Sequence, residues 1–387
     1  MSQGFVQERV TTALLGALNG ARQKGQLKTA AWPTLSLDAP KRPEWGDLAS
    51  TVAMSLASSE HKAPHDIAQI IIENIPQREQ LFDRVEIVRP GFLNLTVKPA
   101  LWQEVLREIE SQGARYGRTA VGAGRRVLVE YVSANPTGPL HVGHGRGAAV
   151  GQAVVRLLDA IGYEAVSEYY INDAGRQMKL LGASVYARYQ ELSGQTIAFP
   201  EDGYHGSYIT ALAQQLKEQL DRVAGELTPA DLETRCRSLA YQKLLGLIRD
   251  DLMSFGIEIQ SWFSETSLLE SKAIELALEE LKARDLLFQE DGAWWFRAST
   301  YGDEKDRVVK KQDGEYTYLA SDIAYHHDKL RRGYDLLIDV FGADHHGYIP
   351  RMQAVMQAYG HPKDRLHVVL VQLVKLLRDG VEVKMSK

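Results

Sequence analysis

The chain has 387 residues, 44% hydrophobic and 25% charged, with a net charge of −5. That length exceeds one ordinary domain, and the composition is that of a globular chain, not a disordered or fibrous one. With no run of 18 apolar residues, no signal-peptide pattern and one cysteine, Cys236, the sequence argues against a spanning helix, an internal disulfide and a multi-cysteine zinc site, and it makes the cytoplasm the default compartment.

Residues 1–118 read as a separate α+β unit. Val6, Val10, Leu14 and Leu18 recur at helical spacing, which predicts an amphipathic helix over Phe5–Leu18. A Pro-rich connection, Trp32–Pro43, leads to a Gly46-Asp47 turn and a second helix through Leu56. A third helix is expected over Pro64–Ile75 and strand structure over Val85–Val97, around a Pro90-Gly91 turn. Pro99 opens a further helix to Ser111, and the Gly- and Arg-rich stretch Arg115–Arg126 reads as a linker.

From residue 127 strands alternate with helices, so the fold class expected for 119–387 is α/β, a mostly parallel, doubly wound sheet. Val127–Val132 is a buried strand, broken at Asn135-Pro136-Thr137-Gly138-Pro139, and a helix follows His141-Val142-Gly143-His144 through about Gly162. Tyr163–Ile171 is the second strand, and Asp173 opens a helix to Leu192. A helical insertion is expected over about 193–255. Ile257–Phe263 and Trp294–Arg297 read as strands flanking a helix over Ser271–Arg284, with one of Trp294 and Trp295 in the core and the other on the surface. Asp335–Phe341 is a strand meeting Gly342-Ala343-Asp344, and Val368–Val374 is the last strand before Lys384-Met385-Ser386-Lys387.

A strand, a Gly-rich turn and a helix start make an anion site, because the first helical amides are unpaired and carry partial positive charge. His141 and His144 lie three apart, on one face of that first turn, and Gly143 admits a ligand to the backbone. Two imidazoles beside an anion site suit charge developing on phosphorus. Taken alone, the pair also fits a capping and a packing histidine. Adjacent histidines, as in His326-His327 and His345-His346, point to different faces and make poor paired ligands, so no structural metal is expected. The basic run Lys305–Lys311 reads equally as a phosphate contact or a solvated loop.

His141-Val142-Gly143-His144 after a strand, with Lys384-Met385-Ser386-Lys387 far downstream, resembles the class I aminoacyl-tRNA synthetases. The match to arginyl-tRNA synthetases is closer. It runs through Glu130–His144, Gly302–Val309, Thr317–His326 and Phe341–Tyr348, and through Trp45-Gly46-Asp47 and Pro90–Asn94 of the N-terminal unit. The resemblance implies a Rossmann-type catalytic domain behind a tRNA-contacting N-terminal domain. It implies an ATP-dependent ligase joining L-arginine to tRNA(Arg), with ATP·Mg²⁺ as substrate complex. Catalytic positions fall at His141, His144, Lys384 and Lys387, and nucleotide contacts at these and at Pro139, Gly143, Gly342, Asp344 and Ser386. Arginine contacts fall at Ser133, Asn135, His144, Tyr318, Asp322 and His346. In local sequence Asp322 reads equally as a helix N-cap. The family continues past KMSK into a helical anticodon-binding domain, so that domain is expected to be absent here. A monomer without membrane association is expected. A carboxylate with a pKa of about 3.5 needs no general base at neutral pH, so activation is positioning and charge neutralisation. An HxGH-type nucleotidyltransferase and a non-catalytic tRNA-binding paralogue are the alternatives; the long insertion and the Tyr318/Asp322 pair speak against the first, and the intact motifs against the second.

Overall fold

The computed structural model describes residues 4–383, which divide between Val121 and Gly122 into two compact units. In the first, α1 (Phe5–Gln23) and α3 (Pro64–Asn74) pack with α2 (Val52–Glu60) and the antiparallel sheet β1-β3-β2, formed by Leu48–Ser50, Phe92–Val97 and Phe82–Val88. The short α4 (Arg78–Leu81) precedes β2, and α5 (Pro99–Gln112) closes the unit. β2 and β3 form the hairpin expected at Pro90-Gly91. The segment after Asp47, expected to be helical at once, first makes a three-residue strand, too short to show a period. Asp47 forces this, donating its N–H to Leu95 O at 2.9 Å while its carboxylate accepts from Val97 N–H at 2.8 Å. Gly46 is required there: its φ is +107°, and a Cβ would sit 2.8 Å from Leu95 O.

The second unit is built on a five-stranded parallel sheet of order β11-β10-β4-β5-β6. Its strands are β4 (Arg126–Glu130), β5 (Glu164–Ile171), β6 (Ser261–Ser264), β10 (Leu336–Gly342) and β11 (Leu366–Val371). The chain leaves β4 in one direction, then returns to β10 on β4's other side. The crevice at the carboxyl ends of β4 and β10 is therefore the topological switch point, where an α/β sheet takes its ligand. α6 (Val142–Ala160) covers one face. α12 (Tyr318–Arg331) and α13 (Ile349–Ala358) pack into the core on the other, with α11 (Ala273–Ala283). The short α10 (Glu265–Glu270) follows β6.

The helical insertion is larger than its sequence suggests: α7 (Gly175–Leu192) shares one core with α8 (Ser207–Ala224) and α9 (Pro229–Ser254). Asp173 does not open α7. Its carboxylate instead accepts from Thr266 N–H at 3.0 Å, Ser264 Oγ at 2.6 Å and Tyr241 OH at 3.1 Å, tying insertion to sheet. Ile257 is core rather than strand, since pairing with β5 begins only at Ser261. Trp294 lies outside the doubly wound sheet, in the separate antiparallel sheet β7 (Leu287–Glu290), β8 (Ala293–Phe296) and β9 (Arg307–Lys310). Both tryptophans are half-buried there and Phe296 is the core residue; Lys282 Nζ sits 4.4 Å from the Trp294 ring. The basic run is paired locally: Arg307 grips Asp303, and Lys311 meets Glu315 at 2.9 Å. A hairpin, β12 (Leu376–Arg378) and β13 (Val381–Val383), ends the described chain.

Candidate active site

Val127 and Val129 of β4, and Tyr131 just after it, pack with Ala148 and Val155 of α6. Gly151 makes this closure possible, because a Cβ there would overlap the Tyr131 ring. The intervening loop is pinned by the insertion, with Tyr208 OH donating to Thr137 O at 2.8 Å. His141 is thereby delivered as the N-cap of α6, with His144 at the third helical position. Their rings stack at 3.7 Å, 21° from parallel, and His141 N–H donates to His144 Nδ1 at 3.2 Å. In the neutral ring the proton then sits on Nε2.

His141, Gly143 and His144 line a cavity of about 310 Å³ with Val132, Gly342, Asp344, His345 and Val371. Two strand ends and one helix start thus converge on the switch point. Gly342 lets β10 run close to its own turn, since a Cβ would press on the Asp344 carboxylate. His345, weighed in the sequence only as a metal ligand, lines this cavity; His346 is exposed and lines neither this cavity nor the larger one beside Tyr318. Pro139 is likewise exposed and outside both. Lys384, Ser386 and Lys387 lie outside the described residues.

Beside the cavity lies an acidic well. Asp322, on the second turn of α12, is half-buried by area but enclosed by protein, and burial pushes its carboxyl up to about 7. The neighbouring Glu130 and Glu265 push the same way, against His326 and Lys329. Burial, then Glu265, Asp322, Glu130 and Asp173, also raises the Tyr170 hydroxyl, so this ring sits amid four carboxylates. Tyr348 OH donates to Asp322 Oδ2. Ser133 Oγ donates to Glu130 Oε1 at 2.9 Å and accepts from Tyr170 N–H at 3.1 Å. Asn135 Nδ2 donates to Gln177 Oε1 at 2.7 Å. Gln177 and Tyr318 line an adjoining cavity of about 820 Å³ with Glu265 and Ser321; Tyr318 is 76% exposed. The structure therefore gathers Ser133 and Asp322 around one well, with Tyr318 at its open side.

Under the well runs a buried ion network missed from sequence. Lys329, fully buried, reaches Glu130 Oε2 at 2.7 Å and Asp339 Oδ1 at 2.8 Å. His326 bridges Asp339 Oδ2, at 3.0 Å, and Asp322 O, at 2.8 Å. Burial opposes the Asp339 charge, but Lys329 and His326 outweigh it and hold that carboxyl well below the usual range. Glu168 is also held low despite burial, by the two-pronged Arg332 at 2.6 and 2.9 Å. The available signal was a charge within an apolar strand: Glu130 after Val127-Leu128-Val129, and Asp339 inside Leu336–Phe341.

A parallel sheet with a histidine pair at the first switch-point helix, a glycine-led turn opposite and a helical insertion defines a class I aminoacyl-tRNA synthetase catalytic domain. The family model described as "tRNA synthetases class I (R), catalytic domain" matches residues 105–373, and "Arginyl tRNA synthetase N terminal domain" matches 8–97. The chain belongs to the arginyl-tRNA synthetase family. It is 47% identical over 357 residues to the arginine–tRNA ligase of Nitratidesulfovibrio vulgaris, covering 92% of this chain and 65% of that one. With that of Desulfosudis oleivorans it shares 45% over 381 residues, 98% of this chain and 68% of the relative. It therefore spans about two thirds of the length of these relatives. A solved Campylobacter jejuni structure described as an arginyl-tRNA synthetase superposes with a TM-score of 0.69 at 38% identity, covering 75% of this chain and 64% of that one. Thermus thermophilus arginyl-tRNA synthetase, at 21% identity, shares the fold with a TM-score of 0.62 over 94% of this chain and 65% of its own.

Proposed function

We propose that the chain activates L-arginine with ATP·Mg²⁺ to arginyl-adenylate and transfers the arginyl group to tRNA(Arg). One observation carries the reading: an acidic well around Asp322 and Glu130 adjoins the cavity of His141 and His144, Ser133 bonding the well's Glu130 and Val132 lining the cavity. A planar guanidinium meets a carboxylate with two parallel hydrogen bonds, whereas a lysine ammonium offers a single point of charge. The amino-acid carboxylate, already ionised, attacks the α-phosphorus and pyrophosphate leaves. His144 Nε2–H and the first amides of α6 oppose charge on the reacting phosphate. Lys384 and Lys387 supply further positive charge in this reading, Ser386 a hydrogen bond, and Mg²⁺ arrives with the triphosphate. Asn135 and Tyr318 flank the arginine, and Pro139 and His346 are outer contacts. The N-terminal unit contacts tRNA, the protein acts as a monomer, and its compartment is the cytoplasm; among the described residues no helix is long and apolar enough to cross a membrane.

ATP–pyrophosphate exchange, measured with arginine and with each other amino acid, in the presence and absence of tRNA(Arg), tests the proposal. Exchange that depends on arginine supports it. Exchange driven only by another acid, or tRNA binding with no exchange under any condition, rejects it.

A further inference from the structure

The end of β4 violates its own alternation. Val127, Val129 and Tyr131 face α6, whereas Leu128 packs in the core beside α12 and Glu130 bonds Lys329 of α12. An unbroken strand would carry Val132 to the α12 side and Ser133 to the α6 side. The reverse is found. Val132 packs with the α6-side core and lines the cavity of His141 and His144, while Ser133 Oγ bonds Glu130. The exchange comes from a γ-turn: Val132 has φ +69° and Ser133 +38°, and Ser133 N–H donates to Tyr131 O at 3.0 Å. Positive φ is strained for a β-branched residue and persists only where the surroundings impose it. Here they do. Tyr131 N–H donates to Glu168 O at 3.2 Å, Tyr170 N–H to Ser133 Oγ at 3.1 Å, and Tyr169 OH to Ala134 O at 2.6 Å.

We propose that the Val132 γ-turn is a positioning device for adenylate formation, and that Val132 is a positioning residue. By exchanging the faces of two consecutive residues, it sets the wall of the nucleotide cavity and the Ser133–Glu130 rim of the acidic well back to back. The amino-acid carboxylate and the α-phosphorus are then held at a separation fixed by one peptide unit. A flexible link would leave that separation to chance, and small misplacements of reacting groups are costly in rate. The inference rests on the reading that the well takes arginine and the cavity takes ATP.

Val132→Pro and Val132→Gly test it. Proline holds φ at about −65° and cannot form the turn, whereas glycine adopts positive φ without strain and keeps it. The Ser133 amide, protected in the parent by its bond to Tyr131 O, should lose protection in hydrogen exchange in Val132→Pro and keep it in Val132→Gly. Arginine-dependent exchange should lose about tenfold or more in kcat in Val132→Pro, with ATP binding by titration changed less than about threefold, and Val132→Gly should lose far less in kcat. A Val132→Pro chain that gives up the Ser133 protection with kcat intact overturns the proposal. Should Val132→Pro fail to fold, Val132→Gly decides alone: a loss of about tenfold in kcat with the Ser133 amide still protected assigns the effect to the side chain and overturns the proposal, as does loss of that protection with kcat intact. A parent chain with no arginine-dependent exchange refutes the functional reading instead, and the amide measurement still judges the turn.

Discussion

Lowering the pH from 8 to 6 should weaken arginine binding about tenfold through Asp322 alone. Burial, reinforced by Glu130 and Glu265, pushes this carboxyl from 3.8 up to about 7. In the ligand-free protein it is then about nine-tenths ionised at pH 8 and about one-tenth at pH 6. A guanidinium requires the ionised form, so binding at pH 6 must expel about one proton per arginine. Titration calorimetry in two buffers of different ionisation enthalpy measures both quantities. The same shift bears on stability. The folded carboxyl holds its proton more tightly than the unfolded one, so its contribution to stability declines as pH rises from about 4 to about 7 and is fully lost above that. The full span corresponds to about 4 kcal/mol, and water in the open well reduces this to about 1–2 kcal/mol. Asp322→Asn should therefore stabilise the ligand-free chain at pH 8 while losing arginine binding and keeping ATP binding. Affinity that is flat between pH 6 and 8, with no proton release, would refute the reasoning, as would equal loss of both ligands in the variant.

Three further outcomes follow from the geometry. His144→Ala should lower the exchange rate about 100- to 1,000-fold by removing a donor at the reacting phosphate; an unaltered rate takes the imidazole out of the chemistry. Lys329→Met leaves Glu130 and Asp339 buried without their cation and should cost about 3–5 kcal/mol in denaturant unfolding, with part recovered when Glu130→Gln and Asp339→Asn are added. Gly151→Ala should cost about 1–3 kcal/mol by driving a methyl into Tyr131, whereas Gly145→Ala, with open space around it, should gain up to about 1 kcal/mol; similar effects at the two sites would contradict the packing.

The elements that read well from sequence are those whose signal is local and repeated: the apolar stripe of α1, the Pro-opened α3 and α5, and the hydrophobic runs of β4, β5 and β10. Those that misread are set by distant partners. Leu48–Ser50 is a strand because β3 lies beside it, and Asp173 bonds across to Thr266 instead of opening a helix. The histidine pair was legible because His141 and His144 sit together in the first turn of α6. Glu130, Lys329 and Asp339 were not, since their meaning lies in an encounter among β4, α12 and β10. By itself the sequence determined the parallel α/β architecture and the histidine pair at the start of α6, because hydrophobic period and turn chemistry act over a few neighbouring residues; the family was legible in the resemblance of its extended motifs. Only the tertiary structure decided that Asp322 is raised to about 7, that a buried lysine underpins the well, and that Val132 and Ser133 exchange faces. Desolvation and charge pairing depend on what packing brings together, and chain order does not encode that locally.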